Sequence, residues 1–141
     1  ALQKAATKLL AGRAKAADAC GAAVFTCLQT KPGDPACVGK AGGTCAKAIA
    51  GIPKIQASFA TTIAKACGAS PLVAADLLTS EGLGASALGA RCAKLGVASL
   101  ATVADVTACV EAQLTCHVDH LLESTTPRLG ELLDLGGVAL P

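Results

Sequence analysis

The chain has 141 residues and a formal net charge of +2, and 52% of its residues are hydrophobic but only 1% are aromatic. Thirty-two residues are Ala, while Trp, Tyr, Met and Asn are absent. Because small side chains gain little free energy on burial, a core of ordinary bulk is excluded, and the eight cysteines are expected to compensate for it.

The length suits one domain, so we predict a single helical domain over residues 1–141. Charge divides that domain into two halves. Residues 1–67 form a basic half with a net charge of +7, and residues 68–141 form an acidic half with a net charge of −5. Such polarity favours contact between oppositely charged surfaces, including those of two copies of the chain.

Helix-forming residues dominate and the alternation typical of strands is missing, which predicts an all-α fold. The first predicted helix runs from Leu2 to Thr30, with the basic side chains of Lys4, Lys8, Arg13 and Lys15 on a solvated face. The turn over 31–34 ends it, because Pro and Gly occur there together. Asp34 then caps a second helix that begins with Pro35 and ends near Ile52.

Further helices are predicted from Pro53 onward. A third long helix runs from Pro53 to Cys67, and Ser70–Pro71 opens a short helix that ends at Leu78. Residues 80–84 form a loop, and residues 86–95 form another short helix. Thr102 and Asp105 resemble a capping box at the start of a long helix that ends near Glu123. Thr126–Pro127 starts a last helix that stops at Gly136, before the apolar tail over 138–141.

The cysteines are spaced as in disulfide-bonded proteins. Their number is even and no CxxC motif occurs, which argues against a structural zinc site. Disulfides place the protein in an oxidising compartment, and Ala1 as first residue is typical of a chain whose signal peptide has been removed. We therefore expect an extracellular or cell-surface protein. No apolar run approaches 18 residues, so no membrane span is expected.

Helix geometry restricts which cysteines can pair. Residues seven apart in a helix lie about 10 Å apart along its axis, whereas a disulfide needs Cα atoms within about 7 Å. Cys20 therefore cannot pair with Cys27, nor Cys37 with Cys45. A chain that folds back at the turn over 31–34 brings them together as nested pairs, Cys27–Cys37 inside and Cys20–Cys45 outside.

The other four cysteines allow two connectivities across helices, and we favour Cys92–Cys109 together with Cys67–Cys116. A further alternative pairs Cys67 with Cys92 and breaks the long helix that carries Cys109 and Cys116. The sequence thus predicts a disulfide-stapled bundle of about five to six helices, built on an N-terminal α-hairpin.

The cysteines and helix ends of residues 37–141 resemble those of known sequences. The segments that carry the likeness are Ala64–Cys67, Gly82–Gly84, Arg91–Cys92, Cys109–Val110, Cys116 with Val118, and Pro127–Arg128 before Glu131–Leu133. They resemble uncharacterised Ala- and Cys-rich helical domains of secreted bacterial proteins. The resemblance implies export and a helical disulfide scaffold, and it implies no activity, because none is known for that group.

One cluster has ligand chemistry, the run from Cys116 to His120. His117 and His120 can share a helix face and are weak candidates for a metal site, which would need further ligands from another segment. His120 lies one turn from Cys116 and is expected to border the core. We regard the two histidines as ordinary residues beside a disulfide and expect no metal and no cofactor.

Motifs for catalysis and nucleic-acid binding are absent. The sequence contains no GxSxG, Walker, GxGxxG or HExxH motif, so we do not expect an enzyme. Nucleic acid is not an expected partner, because the net charge is small and aromatic stacking residues are scarce.

The favoured function is that of a secreted structural protein that assembles with itself. An extracellular filament subunit is one form that such a protein can take. Ala-rich helices allow close approach over long seams, and the two charged halves could attract head to tail. The expected self-association residues lie on the first helix and in the C-terminal tail: Lys4, Lys8, Arg13, Lys15, Val138 and Leu140.

The alternative function is that of an extracellular carrier of an apolar small molecule or lipid, held between helices. The residues expected to line its cavity are Leu72, Val73, Leu77, Leu78, Leu95, Leu114, Leu121 and Leu122. A continuous apolar cavity of several hundred Å³ would favour this carrier over the structural protein.

Overall fold

Helices make up the regular structure of residues 2–68 and 74–141, the part of the chain that the computed structural model describes, and no strand occurs there. They are α1 (Leu2–Thr30), α2 (Pro35–Ile49), α3 (Ile52–Gly68), α4 (Ala74–Leu78), a 3₁₀ helix (Ala85–Leu88), α5 (Gly89–Lys94), α6 (Val103–Thr125) and α7 (Leu129–Leu135). The predictions of an all-α fold and of disulfide-linked helices are confirmed.

Local signals place most helix ends correctly. Asp34 caps α2, since its carboxylate accepts hydrogen bonds from the backbone N–H groups of Ala36 and Cys37. The last helix begins at Leu129 rather than at Thr126–Pro127, because Leu129 N–H donates to the Thr126 carbonyl in a turn that precedes the helix. The predicted helix start at Ser70–Pro71 lies outside the described residues.

The capping box at the start of α6 is confirmed. The Thr102 hydroxyl and backbone N–H donate to Asp105 Oδ2 at 2.8 and 2.7 Å, and Asp105 N–H donates back to Thr102 Oγ1 at 3.1 Å. The Ala101 N–H also donates to Oδ2. These hydrogen bonds hold the pKa of Asp105 below its ordinary value of 3.8, and the bond from the Thr102 hydroxyl has the largest effect.

This shift predicts how the cap depends on pH. Because the folded pKa of Asp105 lies below the unfolded one, the cap stabilises the protein above pH 3.8, and its contribution is lost as pH falls through the folded pKa. An NMR titration should find the Asp105 carboxyl below 3.8, and Thr102→Val should raise that pKa. An unchanged pKa in Thr102→Val would show that the hydroxyl is not the main cause.

The chain divides into two compact units that do not coincide with the basic and acidic halves. The first unit comprises Ala1–Leu9 and Gln56–Cys116, and the second comprises Leu10–Ile55 and His117–Pro141. Each unit has its own buried residues and disulfides.

The second unit is built on the predicted α-hairpin. Two nested disulfides, Cys20–Cys45 and Cys27–Cys37, join α1 to α2, which confirms both pairings. Cys20 and Cys45 have no exposed surface, and the chain covers them closely: a Cβ at Gly136 would lie 2.8 Å from Cys45 Sγ. Ile49, Ile52, Leu122, Leu129 and Leu132 complete this core. The sulfur atoms thus occupy positions where larger apolar side chains stand in other proteins.

Arg13 lies inside the second unit, which corrects the expectation that it belongs to a solvated helix face. Only 1% of the residue is exposed. Its Nε and Nη2 donate to the two carboxylate oxygens of Asp119 at 2.7 and 2.8 Å, and Nη2 also donates to the Pro141 carbonyl at 2.8 Å. Burial is possible because this bidentate pairing neutralises the guanidinium.

One disulfide and a small apolar core stabilise the first unit. Cys92–Cys109 joins α5 to α6, as the favoured connectivity predicted, and Gln113 Nε2 donates to Cys109 Sγ at 3.2 Å. Phe59, the one buried aromatic residue in the described chain, is 2% exposed. It lies on α3, as does the buried Ile63. None of the described helices combines the length and apolarity that a bilayer crossing needs.

Candidate ligand-binding cavity

The first unit contains an apolar cavity of about 300 Å³, which we call the inner cavity. Its walls come from the start of α1, from α3, α4, the 3₁₀ helix and α6, and from the loop before the 3₁₀ helix. The described lining residues are Leu2, Ile63, Ala66, Cys67, Leu77, Leu83, Ala85, Leu88, Val103, Val106, Thr107 and Val110. All but Cys67 and Thr107 have hydrocarbon side chains, so the cavity is suited to an apolar occupant.

One wall of the inner cavity is an apolar stripe on α6. Val103, Val106, Thr107 and Val110 recur at the three- and four-residue spacing that puts side chains on the same face of a helix. The Thr107 hydroxyl donates to the Val103 carbonyl at 2.8 Å, so its hydrogen bond is made within the helix. The Thr107 hydroxyl therefore does not need a polar group of a ligand as its hydrogen-bond partner.

A second, more open space of about 590 Å³ lies in the same unit, and we call it the outer groove. It shares Cys67, Val103 and Thr107 with the inner cavity. Its other described lining residues are Ala60, Thr61, Ala64, Ala104, Ala108 and Glu111. The two spaces therefore meet at one common wall.

Glu111 is the charged side chain among the described lining residues of these two spaces. It is half-buried, and that burial raises the pKa of its carboxyl above the ordinary value of 4.5. No hydrogen bond or ion pair satisfies its carboxylate within the described chain. Glu111 is thus a partly desolvated acid in the outer groove that is available to a ligand.

Cys67 and Cys116 are free thiols, so the predicted fourth disulfide, Cys67–Cys116, is not formed. Cys67 shares both cavity linings with Val103 and Thr107. The alternative Cys67–Cys92 pairing is also wrong, because Cys92 bonds to Cys109 and α6 is unbroken through Cys116.

Thiol titration checks this assignment. We expect two thiols per chain when the protein is unfolded in denaturant without a reducing agent, and alkylation followed by peptide mass spectrometry should place them at Cys67 and Cys116. A count of zero would instead indicate the fourth disulfide that the sequence predicts.

The two candidate metal ligands, His117 and His120, lie on the surface of α6. His120 is largely exposed rather than next to the core, and its Nδ1 lies 3.5 Å from Glu123 Oε2. His117 is also exposed. In the described residues, no group of three His, Cys, Asp or Glu side chains is placed to hold a metal ion.

The predicted self-association residues fall into two sets. Lys4, Lys8 and Lys15 are exposed, as expected of contact residues. Arg13 is buried, and Val138 and Leu140 pack against the core of the second unit. Contacts within the chain thus hold both Arg13 and the tail, so neither needs a neighbouring copy to order it.

The sequence located the cavity poorly. Of the predicted lining residues, Leu77 lines the inner cavity, whereas Leu121 is 60% exposed and Leu122 belongs to the core of the second unit. The lining of the inner cavity does not include Leu78, Leu95 or Leu114. Leu72 and Val73 lie outside the described residues. The valine spacing at 103, 106 and 110 was the signal that could have identified the wall on α6.

The chain matches no protein-family model, no curated protein and no solved structure. The resemblance to Ala- and Cys-rich helical domains of secreted bacterial proteins therefore stays a prediction.

Proposed function

We propose that the protein is an exported carrier of an apolar small molecule, which it holds in the inner cavity. The observation that carries the proposal is the apolar lining of that cavity, whose volume of about 300 Å³ lies within the range of small-molecule sites. An apolar cavity of this size supports a carrier over a structural protein.

The volume sets the size of the ligand. A cavity of about 150 Å³ can hold a benzene molecule, so one twice as large has room for roughly ten to twelve carbon atoms. Each methylene group that moves from water into the cavity should contribute about 0.8 kcal/mol, which is about fourfold in affinity. A flexible chain of about ten carbons is thus the ligand that the cavity fits best.

The disulfides support export. The described chain contains three, and disulfides persist mainly in oxidising compartments outside the cytosol. A carrier of this kind would act where water-insoluble molecules must cross an aqueous space. We propose no catalytic role.

A series of neutral alcohols tests the carrier proposal. By isothermal titration calorimetry, affinity should rise about fourfold per methylene from hexanol to decanol and then level off as the cavity fills. Ala85→Leu should weaken decanol binding, because Ala85 is 4% exposed and lines the cavity. Ala87→Leu, in the same 3₁₀ helix but exposed, is the matched control. No binding by any alcohol would contradict the proposal.

Self-assembly is the second candidate, and an exposed aromatic side chain favours it. Phe25 is 46% exposed and lines an open groove of about 460 Å³ in the second unit. Asp18 and Arg128 line the same groove, so a second copy could place opposite charges against each other across a twofold axis. This surface replaces the tail and Arg13 as the proposed contact between copies.

Light scattering after size exclusion, at low and high salt, tests self-assembly. We expect the apparent mass to rise with protein concentration, and Phe25→Ala to reduce that rise. Leu121→Ala is the control, since Leu121 is exposed but does not line the groove. A monomer at every concentration and salt would contradict self-assembly and leave the carrier proposal standing.

A further inference from the structure

The inner cavity and the outer groove differ in what they offer a ligand. The inner cavity is lined by hydrocarbon side chains and by a threonine whose hydroxyl is already bonded. The outer groove adds Glu111, one helical turn beyond Thr107 on α6, about 6 Å along the helix axis. A molecule that lies across the common wall would therefore have one apolar end and one end beside a carboxylate.

We infer that the carried molecule is a cationic amphiphile of the alkylamine class, with its hydrocarbon chain in the inner cavity and its ammonium group in the outer groove against Glu111. This inference rests on the proposed carrier function and adds the chemical class of the ligand. Among the described lining residues Glu111 is the charged one and none is basic, so the groove favours an ammonium group over a fatty-acid carboxylate in the same position.

The state of Glu111 supports this choice. Its carboxylate is half-buried and unpaired within the described chain, and burial raises its pKa. A partly desolvated carboxylate gains more from an ammonium partner than an exposed one does, because water competes less for both groups. Cys67 also lines the groove, and its side chain carries no basic group that would oppose a cation.

Three ligands of equal chain length test the inference: decylamine, decanol and decanoate. At pH 7, and below the concentrations at which they form micelles, we expect decylamine to bind about tenfold more tightly than decanol, and decanoate to bind more weakly than decanol. Calorimetry on the full oxidised chain gives the three affinities directly.

Two substitutions on α6 locate the preference. Glu111→Gln should remove the tenfold preference, so that decylamine and decanol bind this variant with about the same affinity. Glu123→Gln makes the same chemical change at a largely exposed position that lines neither space, and should preserve the tenfold preference.

The outcomes separate this inference from the proposed function. If none of the three ligands binds, the carrier function itself fails. If decanol binds but decylamine binds no better, or if decanoate binds best, the carrier function stands and the cationic class is wrong. An amine preference that survives Glu111→Gln would likewise overturn the assignment to Glu111.

Discussion

Asp119→Ala is expected to lower the free energy of unfolding by about 3 kcal/mol, because it leaves the charge of Arg13 buried without its carboxylate. Arg13 is 1% exposed, so water cannot replace the two hydrogen bonds that Asp119 accepts. The Asp119 side chain is 30% exposed, which places the loss at the lower end of the range for buried pairs.

Replacing either partner of the Arg13–Asp119 ion pair should lower the free energy of unfolding by a different amount. Arg13→Met removes the buried charge, retains most of the side-chain volume and leaves a carboxylate that water can reach, so it should destabilise less than Asp119→Ala. Glu123→Ala is the control, since its contact with His120 is exposed and worth less than about 1 kcal/mol. Urea denaturation measures all three. Equal losses for Asp119→Ala and Glu123→Ala would show that the burial of Arg13 has been misjudged.

Removal of the Cys20–Cys45 disulfide should have an effect of similar size. The bond closes a loop with a sequence separation of 25, for which chain entropy predicts a loss of about 3.5 kcal/mol in the Cys20→Ala/Cys45→Ala double variant. The Cys27–Cys37 bond closes a loop of only 10 and should contribute about 2.7 kcal/mol. The Cys92–Cys109 bond, with a separation of 17, should fall between them.

The two free thiols supply a matched control for this series. Cys67→Ala/Cys116→Ala removes as many sulfur atoms from partly exposed positions without opening a loop, so its effect on the urea midpoint should be small. If that variant loses as much stability as Cys20→Ala/Cys45→Ala, then either a fourth disulfide exists or the bonds do not act through loop closure.

Features set by neighbours in the chain could be predicted from the sequence. The Asp34–Pro35 start of α2 and the Thr102–Asp105 box depend on hydrogen bonds within four residues, and both are present. The nested disulfides followed from helix pitch and one turn, because these fix which cysteines can meet. Phe59 is buried, but nothing in its neighbouring residues distinguishes it from the exposed Phe25.

Features set by contacts distant in sequence were not predictable in the same way. The partner of Arg13, Asp119, lies 106 residues away, so α1 alone gave no sign that one of its four basic side chains is buried. The preference for a Cys67–Cys116 pair depends on the assumption that all eight cysteines are bonded, whereas these two are free. The cavity depends on how α3, α4 and α6 pack, and three of its leucines, Leu2, Leu83 and Leu88, are not among those that the sequence predicts.

The central physical claim is that sulfur bridges replace the bulky core that this composition cannot provide. Chain entropy assigns the three disulfides together about 9 kcal/mol, which is comparable to the whole stability of an ordinary domain. The most direct test is far-UV circular dichroism of the fully reduced protein without denaturant, compared with the oxidised protein. We predict that reduction removes most of the helical signal and the cooperative urea transition. A reduced protein with the same helical signal and the same urea midpoint would contradict the claim.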